Sequence, residues 1–221
     1  MNAEMPISVV RVPQQGRSRA SFERMLKAAE ELMAERGSVD FTLIEVGKRG
    51  KVSIGSIYCR FDSKDDLVRA VQARVLDRVN AVQFEAIEKA RAEATDLVAL
   101  VDILVEGTAE TLRRFADVLR PLMLRASTDP QIAEVGKSRY GEVATAVRNA
   151  LLEYRAEIRQ PDAERAVDSA YRILYGPIAR HLGFGSSMEA AWEGDWTILK
   201  EDLARMIAAF LTTAPRPRTK A

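Results

Sequence analysis

Residues 42–67 read TLIEVGKRGKVSIGSIYCRFDSKDDL, and three helix starts follow one another closely in this stretch. Thr42 and Glu45 form a capping box, in which each side chain accepts a hydrogen bond from a free backbone N–H group. Ser53 is placed to cap a second short helix, and Ser63 to open a longer one. A short helix, a turn of about four residues and another short helix have the geometry of a helix-turn-helix.

The residues before this stretch predict a helix that supports it. Apolar side chains recur from Phe22 to Met33 at the spacing of one helix face, and Gly37 is suited to end that helix. Helices as short as the two in the motif are not stable alone, so they need tertiary packing. The side chains expected to form the core beneath the motif are Val46, Val52, Ile57 and Phe61.

The second short helix is expected to present its other face to DNA. An α-helix fits the major groove of B-DNA, where its side chains meet base edges. The residues on or near this outward face are Ile54, Gly55, Ser56, Cys59 and Arg60. Five basic residues against one acidic residue lie between Lys48 and Lys64, a clustering that favours phosphate contacts but that is also common on solvated helices.

The composition narrows the function further. The chain has 221 residues, 47% hydrophobic residues and a net charge of +1, which is typical of a globular protein. The chain has one cysteine, Cys59, and one histidine, His181. This composition predicts no disulfide framework, no metal site and no cofactor. The chain also lacks glycine-rich nucleotide motifs, a signal peptide and a long apolar span, so we expect a cytoplasmic protein that is not an enzyme.

The stretch resembles the DNA-binding domain of the tetracycline-repressor (TetR) family of bacterial regulators over about residues 18–75. The matching positions are Thr42, Val46, Val52, Ser53, Gly55, Ser56, Ile57, Tyr58, Phe61, Lys64 and Leu67. The resemblance implies phosphate contacts from Tyr58 and Lys64. The complete set of expected DNA-binding residues is Thr42, Lys51, Ser53, Ile54, Gly55, Ser56, Tyr58, Cys59, Arg60 and Lys64.

Two positions of the turn depart from the family pattern. Lys51 stands where the family usually has glycine, directly after Gly50, and Gly47 replaces the usual alanine. Either Lys51 takes a positive φ at a small cost, or Gly50 absorbs the turn. A side chain at Gly47 would clash with the crossing second helix.

The resemblance also implies the organisation of the chain. We expect an all-α fold with a flexible basic arm at 1–17, a three-helix DNA-binding domain at 18–66, a helical regulatory and dimerisation domain at 67–213 and a disordered tail at 214–221. Helices are expected near 130–158, 161–182 and 189–213, with Pro121, Pro130 and Pro161 each near a helix start. In the family, the last two long helices of each subunit form the interface of a homodimer. The apolar stripes on both helices could form this interface, or they could face the core of their own subunit.

The function that follows is a ligand-responsive repressor, which binds an inverted-repeat operator in double-stranded DNA as a homodimer and is released by a small molecule. The residues that could line an apolar effector pocket are Phe115, Met123, Tyr140, Tyr171 and Tyr175, although each also suits core packing. The alternative is a DNA-bound helical protein that docks a protein partner. A large closed cavity would favour the first function and an exposed apolar patch the second.

Overall fold

In a computed structural model, which describes residues 16–185 and 193–215, every regular element is helical. The helices are α1 (Gly16–Arg36), α2 (Leu43–Gly50), α3 (Ile54–Tyr58), α4 (Lys64–Glu93), α5 (Leu97–Arg114), α6 (Ala116–Ala126), α7 (Pro130–Glu153), a 3-10 turn (Arg155–Glu157), α8 (Ala163–His181) and α9 (Trp196–Thr212). The all-α prediction is confirmed.

Local capping explains why α2, α3 and α4 begin where they do. The Thr42 hydroxyl accepts a hydrogen bond from the N–H of Glu45 at 3.2 Å, and the Glu45 carboxylate accepts one from the N–H of Thr42 at 2.8 Å. The hydroxyls of Ser53 and Ser63 each accept a bond from the N–H three residues later, at 3.1 Å. These contacts satisfy N–H groups that have no partner inside the helix, as the sequence predicted.

The turn between α2 and α3 is strained at Lys51 and not absorbed by Gly50. Lys51 has φ 51° and ψ 50°, the left-handed region, whereas Gly50 is the last residue of α2. Gly50 is needed for another reason, because a Cβ there would lie 3.0 Å from the carbonyl oxygen of Arg24 in α1. A Cβ on Gly47 would lie 3.0 Å from the carbonyl oxygen of Val52, so the predicted crowding is present, but it comes from the turn and not from α3 itself.

Lys51→Gly is expected to stabilise the protein by up to about 1 kcal/mol, because glycine adopts the left-handed conformation without a Cβ clash. Thermal melting without DNA measures this effect apart from the lost charge. Lys48→Gly is the matched control, since Lys48 lies inside α2 and the same change there should destabilise the helix by about 1 kcal/mol. Equal effects at both positions would contradict the assigned strain.

The N-terminal unit comprises residues 16–76 together with 117–133. Helix α1 packs on α2, and α2 on α3. The fully buried side chains beneath the motif are Met25, Met33, Val46, Ile57 and Phe61. The segment 117–133 joins this unit through Asp129, which contacts Arg69 of α4 at 3.0 Å.

The C-terminal unit comprises residues 77–116, 134–185 and 193–215. Here α5 packs on α8 and α9, and α8 on α9. The first residue of α9 is fastened to α5, because the indole N–H of Trp196 donates to Glu110 at 2.7 Å. Lys200 donates to the same carboxylate at 2.7 Å and lowers the pKa of Glu110, which keeps the ion pair charged at neutral pH.

Several predicted details are corrected by the structure. Pro121 lies inside α6, although it was expected at a helix start. The helix predicted at 130–158 ends at Glu153, and the one predicted from 189 begins at Trp196, while 189–192 lie outside the described residues. The small apolar stripe of α8, including Ala166 and Ala170, is buried inside its own subunit. That stripe therefore serves the core of the unit and is not free to contact a second copy.

Candidate nucleic-acid interface

Helix α3 exposes a short row of side chains above a buried anchor. Ile57 is fully buried and fixes the helix on the domain, whereas Ile54, Ser56 and Cys59 are exposed and Tyr58 is 58% exposed. The five-residue helix thus separates an inward from an outward face. The sequence predicted this division for Ile54, Ser56, Ile57 and Cys59, whereas Tyr58 was expected at the DNA only from the family resemblance.

Gly55 lies at the centre of that outward row. A Cβ at this position would meet no heavy atom within 4 Å in the free protein. Packing within the protein therefore does not require glycine here. The absence of a side chain instead lets a bound molecule approach the backbone of α3 closely.

Thr42 and Ser53 are the N-cap residues of α2 and α3. Both are exposed, yet their hydroxyls already serve as caps. Ser53 also shares a 2.8 Å hydrogen bond with the Ser56 hydroxyl. Glu45 is held by Arg36 at 2.5 Å and by Thr42, and these bonds lower the pKa of its carboxyl to about 2. The Glu45 carboxylate at the start of α2 is therefore held in place by these bonds and stays ionised at neutral pH.

Lys64 occupies the first turn of α4, beside the α1–α2 loop. Its ammonium donates to the carbonyl oxygen of Val39 at 3.1 Å and lies 5.6 Å from the centre of the Phe41 ring. One of its three N–H donors is thereby used, and the side chain is half-buried. The contact with Val39 holds the charge at a defined place on the surface.

Arg60 differs from the other predicted DNA-binding residues. One nitrogen of its guanidinium donates to both the hydroxyl and the carbonyl oxygen of Ser18, the latter at 3.2 Å. Its central carbon lies 5.8 Å from the centre of the Phe22 ring. The side chain therefore binds the beginning of α1. Nothing local in the sequence indicated this contact, which joins residues 42 positions apart.

Several described basic residues before and after α3 in the chain lack a carboxylate partner. Within residues 16–185 and 193–215, Lys48, Lys51, Arg60 and Lys64 form no ion pair with a carboxylate, whereas Arg49 binds Glu35 at 2.5 Å. Cations that no carboxylate neutralises keep their net positive charge for attraction to phosphate. The motif thus combines an exposed helix, a close-approach glycine and free positive charge.

The residues predicted to line an effector pocket divide into two groups. Tyr140 of α7 lies against Tyr171 and Tyr175 of α8, with ring centres 5.4 and 4.8 Å apart. Phe115 instead contacts two guanidinium groups, since the central carbons of Arg78 and Arg114 lie 5.6 and 5.4 Å from the centre of its ring. Met123 belongs to the N-terminal unit. The structure brings together the three tyrosines.

The tyrosine cluster, Tyr140, Tyr171 and Tyr175, presents protonated hydroxyl groups. Burial raises the pKa of all three phenols, that of Tyr175 to about 12. At neutral pH each hydroxyl is therefore a hydrogen-bond donor as well as an acceptor. Beside Tyr171, an apolar cavity of about 10 Å³ lies between α5, α7, α8 and α9. It has room for about one water molecule, so it is not the large closed cavity expected of a preformed effector pocket.

None of the helices in the described ranges 16–185 and 193–215 is long and apolar enough to span a membrane. In the same ranges, no three histidine, cysteine, aspartate or glutamate side chains lie close enough together to hold a metal ion.

Comparison with known proteins identifies relatives of the motif and of the whole fold. Residues 25–71 match the sequence model of bacterial regulatory proteins of the tetR family. Uncharacterized HTH-type transcriptional regulators of Mycobacterium bovis and Mycobacterium tuberculosis are each 28% identical over 157 residues, 71% of this chain and 72% of theirs.

Solved structures extend the similarity to the C-terminal unit. A TetR-family transcriptional regulator from Mesorhizobium loti superposes with a TM-score of 0.72 at 16% identity, covering 89% of this chain and 98% of that one. A TetR transcription regulator from Haloarcula marismortui gives 0.63 at 18% identity, with coverage of 86% and 96%. At these identities the similarity establishes the fold, including the helical arrangement beyond residue 75.

Proposed function

Since this chain is a DNA-binding transcriptional regulator of the TetR family, we propose that it is a repressor which binds an inverted-repeat operator as a homodimer and is released by a small molecule. The observation that carries the proposal is the exposed outward face of α3, together with the nearby basic residues of the chain that have no carboxylate partner among the described residues. Such a regulator works in the cytoplasm, where it reaches chromosomal DNA.

In this proposal α3 enters the major groove and its exposed side chains read base edges. Ile54 and Cys59 contact thymine methyl groups, and Ser56 bonds a base or a phosphate. Gly55 permits the close approach of the helix. Thr42, Lys51, Ser53, Tyr58 and Lys64 contact the phosphates on either side, which fix the orientation of the domain without reading sequence.

Lys64→Ala and Tyr58→Phe are expected to weaken binding to the operator and to random DNA by similar factors. Lys64→Ala should also lower the slope of log affinity against log salt concentration by about one, because one phosphate contact is lost. Fluorescence anisotropy titrations on both DNAs over a range of salt measure these quantities.

Two variants control for structural effects at Lys64. Lys64→Met keeps the apolar stem beside Phe41 and should show the same loss of slope. Lys137→Ala removes the same charge from an exposed position on α7 and should leave DNA binding unchanged. A changed base preference with an unchanged slope in Lys64→Ala would show that Lys64 does not bind phosphate.

The proposed dimer uses apolar side chains that remain exposed on the last two helices. Ile198 and Met206 of α9 are 58% and 56% exposed, and Ile173 of α8 is also exposed. Large apolar side chains grouped on an exposed face are typical of protein interfaces. Because one five-residue recognition helix buries little surface, two of them acting together would supply specific affinity.

The proposed effector site includes the tyrosine cluster. Its rings suit an apolar or amphipathic molecule, and its protonated hydroxyls suit one that carries an oxygen acceptor. Binding there would act on α7 and α8 together, since Tyr140 belongs to one helix and its two partners to the other.

The alternative, docking of a protein partner, has one observation in its favour. An open groove of about 630 Å³ runs between α5 and α9, with Val98, Val105 and Ala204 among its apolar lining residues. Asp102, Glu106 and Arg205 give the same groove a polar rim. A partner segment that buries both kinds of side chain would fit it.

Selection of bound fragments from random DNA tests the proposal. We expect an inverted repeat, and we expect compounds of the effector class to release purified protein from it. Release should weaken in a variant carrying Tyr140→Phe and Tyr175→Phe. Recovery of no preferred sequence would contradict the operator, and release that requires a protein partner would favour the alternative.

A further inference from the structure

The hydroxyl groups of Ser53 and Ser56 form a hydrogen-bonded pair on the exposed face of the motif, with 2.8 Å between the two oxygens. We propose that this serine pair makes Ser56 a reader of amino groups in the major groove, so that it selects adenine or cytosine and rejects guanine or thymine. The inference rests on the proposed function, in which Ser53 contacts a phosphate and α3 lies against the bases. It adds which bases Ser56 accepts, and why.

The number of hydroxyl hydrogens limits what the serine pair offers to DNA. Each hydroxyl has one hydrogen to donate and two lone pairs that accept. One of the two hydrogens is used in the bond between the oxygens, whichever serine donates it. The serine pair therefore has one hydrogen left for a partner outside the protein. Ser53 and Ser56 cannot both donate to DNA while this bond is kept.

A phosphate contact decides which serine donates inside the pair. Phosphate oxygens accept hydrogen bonds and have none to give, so Ser53 must use its own hydrogen to bind one. The Ser56 hydroxyl then donates to Ser53, whose oxygen already accepts a hydrogen bond from the N–H of Ser56 at 3.1 Å. In this arrangement the Ser53 hydroxyl donates once and accepts twice, which is its full capacity. The Ser56 oxygen keeps only lone pairs for the DNA.

An acceptor in the major groove recognises the exocyclic amino groups of bases. Adenine presents its N6 amino group there and cytosine its N4 amino group, whereas guanine O6 and thymine O4 are themselves acceptors. A lone pair on Ser56 therefore bonds the first two bases and is repelled by the other two. The open space at Gly55, next to Ser56 in the chain, lets a base edge come near. Among residues 16–185 and 193–215, no third group bonds to either hydroxyl and competes with the DNA.

Selection from random DNA by the full-length protein and its variants tests the proposal. The unaltered protein should prefer adenine or cytosine by about 3–10-fold at one position of each half-site, the value of one hydrogen bond, and the selected sequence shows which of the two it is. Ser56→Ala should lose this preference and keep those at other positions. Ser53→Gly should also lose it, because the Ser56 hydroxyl is then free to donate as well as accept. Glycine is an adequate N-cap, so α3 should still form.

A double variant separates these two kinds of loss. On an operator that carries guanine or thymine at the same position, Ser53→Gly should bind about 3–10-fold more tightly than Ser53→Gly with Ser56→Ala, because Ser56 donates to the base. In the presence of Ser53, Ser56→Ala should not weaken binding to that operator. Equal affinities of the Ser53→Gly protein and the double variant would overturn the proposal.

Two further variants separate the hydroxyl from helix capping. Ser53→Asp keeps a cap and can only accept from Ser56, so the preference for adenine or cytosine should remain while the added charge weakens binding to every DNA. Thr42→Gly is the matched control, because the Thr42 hydroxyl caps α2 and bonds only to Glu45 among the described residues. It should leave every base preference unchanged. Thermal melting of each variant checks that the motif remains folded.

The remaining outcomes either contradict this inference or the proposed function. A preference for guanine or thymine at the position that depends on Ser56 would overturn the inference, as would unchanged preferences at every position in Ser56→Ala. If Ser53→Gly does not fold, loss of the preference in Ser53→Asp would overturn it in the same way. Selection of no preferred sequence by the unaltered protein would instead contradict the proposed function, so the two failures are distinguishable.

Discussion

Asp129→Ala is expected to lower the free energy of unfolding by about 2–3 kcal/mol, the combined loss of a helix cap and of a charge-assisted hydrogen bond. The Asp129 side chain is 4% exposed and contacts Arg69 at 3.0 Å and Arg125 at 3.9 Å. It also accepts hydrogen bonds from the N–H groups of Gln131 and Ile132, which begin α7. The substitution therefore removes a helix cap and the shared partner of two guanidinium groups.

Urea denaturation measures this loss, and a second aspartate in the same segment provides the control. Asp117 is 76% exposed and pairs with Arg120 one turn later, so Asp117→Ala should change stability by less than about 0.5 kcal/mol. Asp129→Asn should fall between the two, because it keeps an acceptor for the cap and loses the charge. Similar losses for Asp129→Ala and Asp117→Ala would contradict the role assigned to the buried carboxylate.

The pH dependence of this effect has a definite sign. Burial raises the pKa of Asp129, but hydrogen bonds from Ile132 and Arg69 outweigh it and leave the pKa below the ordinary value of 3.8. The ionised carboxylate therefore contributes its full stability above pH 3.8, and this contribution is lost as the pH falls through the lowered folded value. The difference in stability between the unaltered protein and Asp129→Asn should shrink correspondingly in acid.

The features that the sequence predicted well are those decided within a few residues. The capping pairs at Thr42 and Ser53 depend on side chains that reach a backbone N–H three positions later. Gly37 follows α1 with φ 60°, as expected of a helix-ending glycine. The strain at Lys51 was also one of the two outcomes expected for the turn. Such contacts recur wherever the same local pattern recurs, so one sequence is enough to identify them.

Features that depend on packing between distant segments could not be predicted. Periodicity identified the apolar stripe of α8 but not what covers it, and Ala170 proves to be buried in its own subunit. The partners of Arg60 and Asp129 lie 42 and 60 residues away along the chain. Pro121 lacks a backbone N–H and was expected at a helix start, yet it is buried within α6. Burial of its ring accompanies the loss of one helical hydrogen bond.

The exposed face of α9 indicates which substitution tests the dimer. Ile198, Asp202, Met206 and Ala209 recur at intervals of three or four residues, so they share one side of the helix. The opposite side, with Leu203 and Ile207, is buried against the rest of the unit. Met206 lies near the middle of the exposed side, where a two-fold axis would bring it close to its symmetry mate.

Met206→Glu is therefore expected to convert the protein to a monomer with unchanged helical content. Two carboxylates would meet in an apolar interface, and each costs several kcal/mol when buried without a partner. Since the proposed two-fold arrangement would present both recognition helices to half-sites about 34–36 Å apart, its loss should reduce operator affinity by about 10³-fold or more. Weak, salt-sensitive binding to any DNA should remain. Sedimentation and operator titration of the same sample measure both effects.

Two control variants test whether the exposed side of α9 forms the dimer interface. Thr197→Glu adds the same charge to α9 on the side of the α5 groove and should leave the protein dimeric. Ala170→Glu should unfold the C-terminal unit, because Ala170 is buried within the subunit. A Met206→Glu protein that sediments as a dimer would move the interface to another surface. A monomer that still bound its operator at full strength would show that one recognition helix suffices, and the two-fold arrangement itself would be wrong.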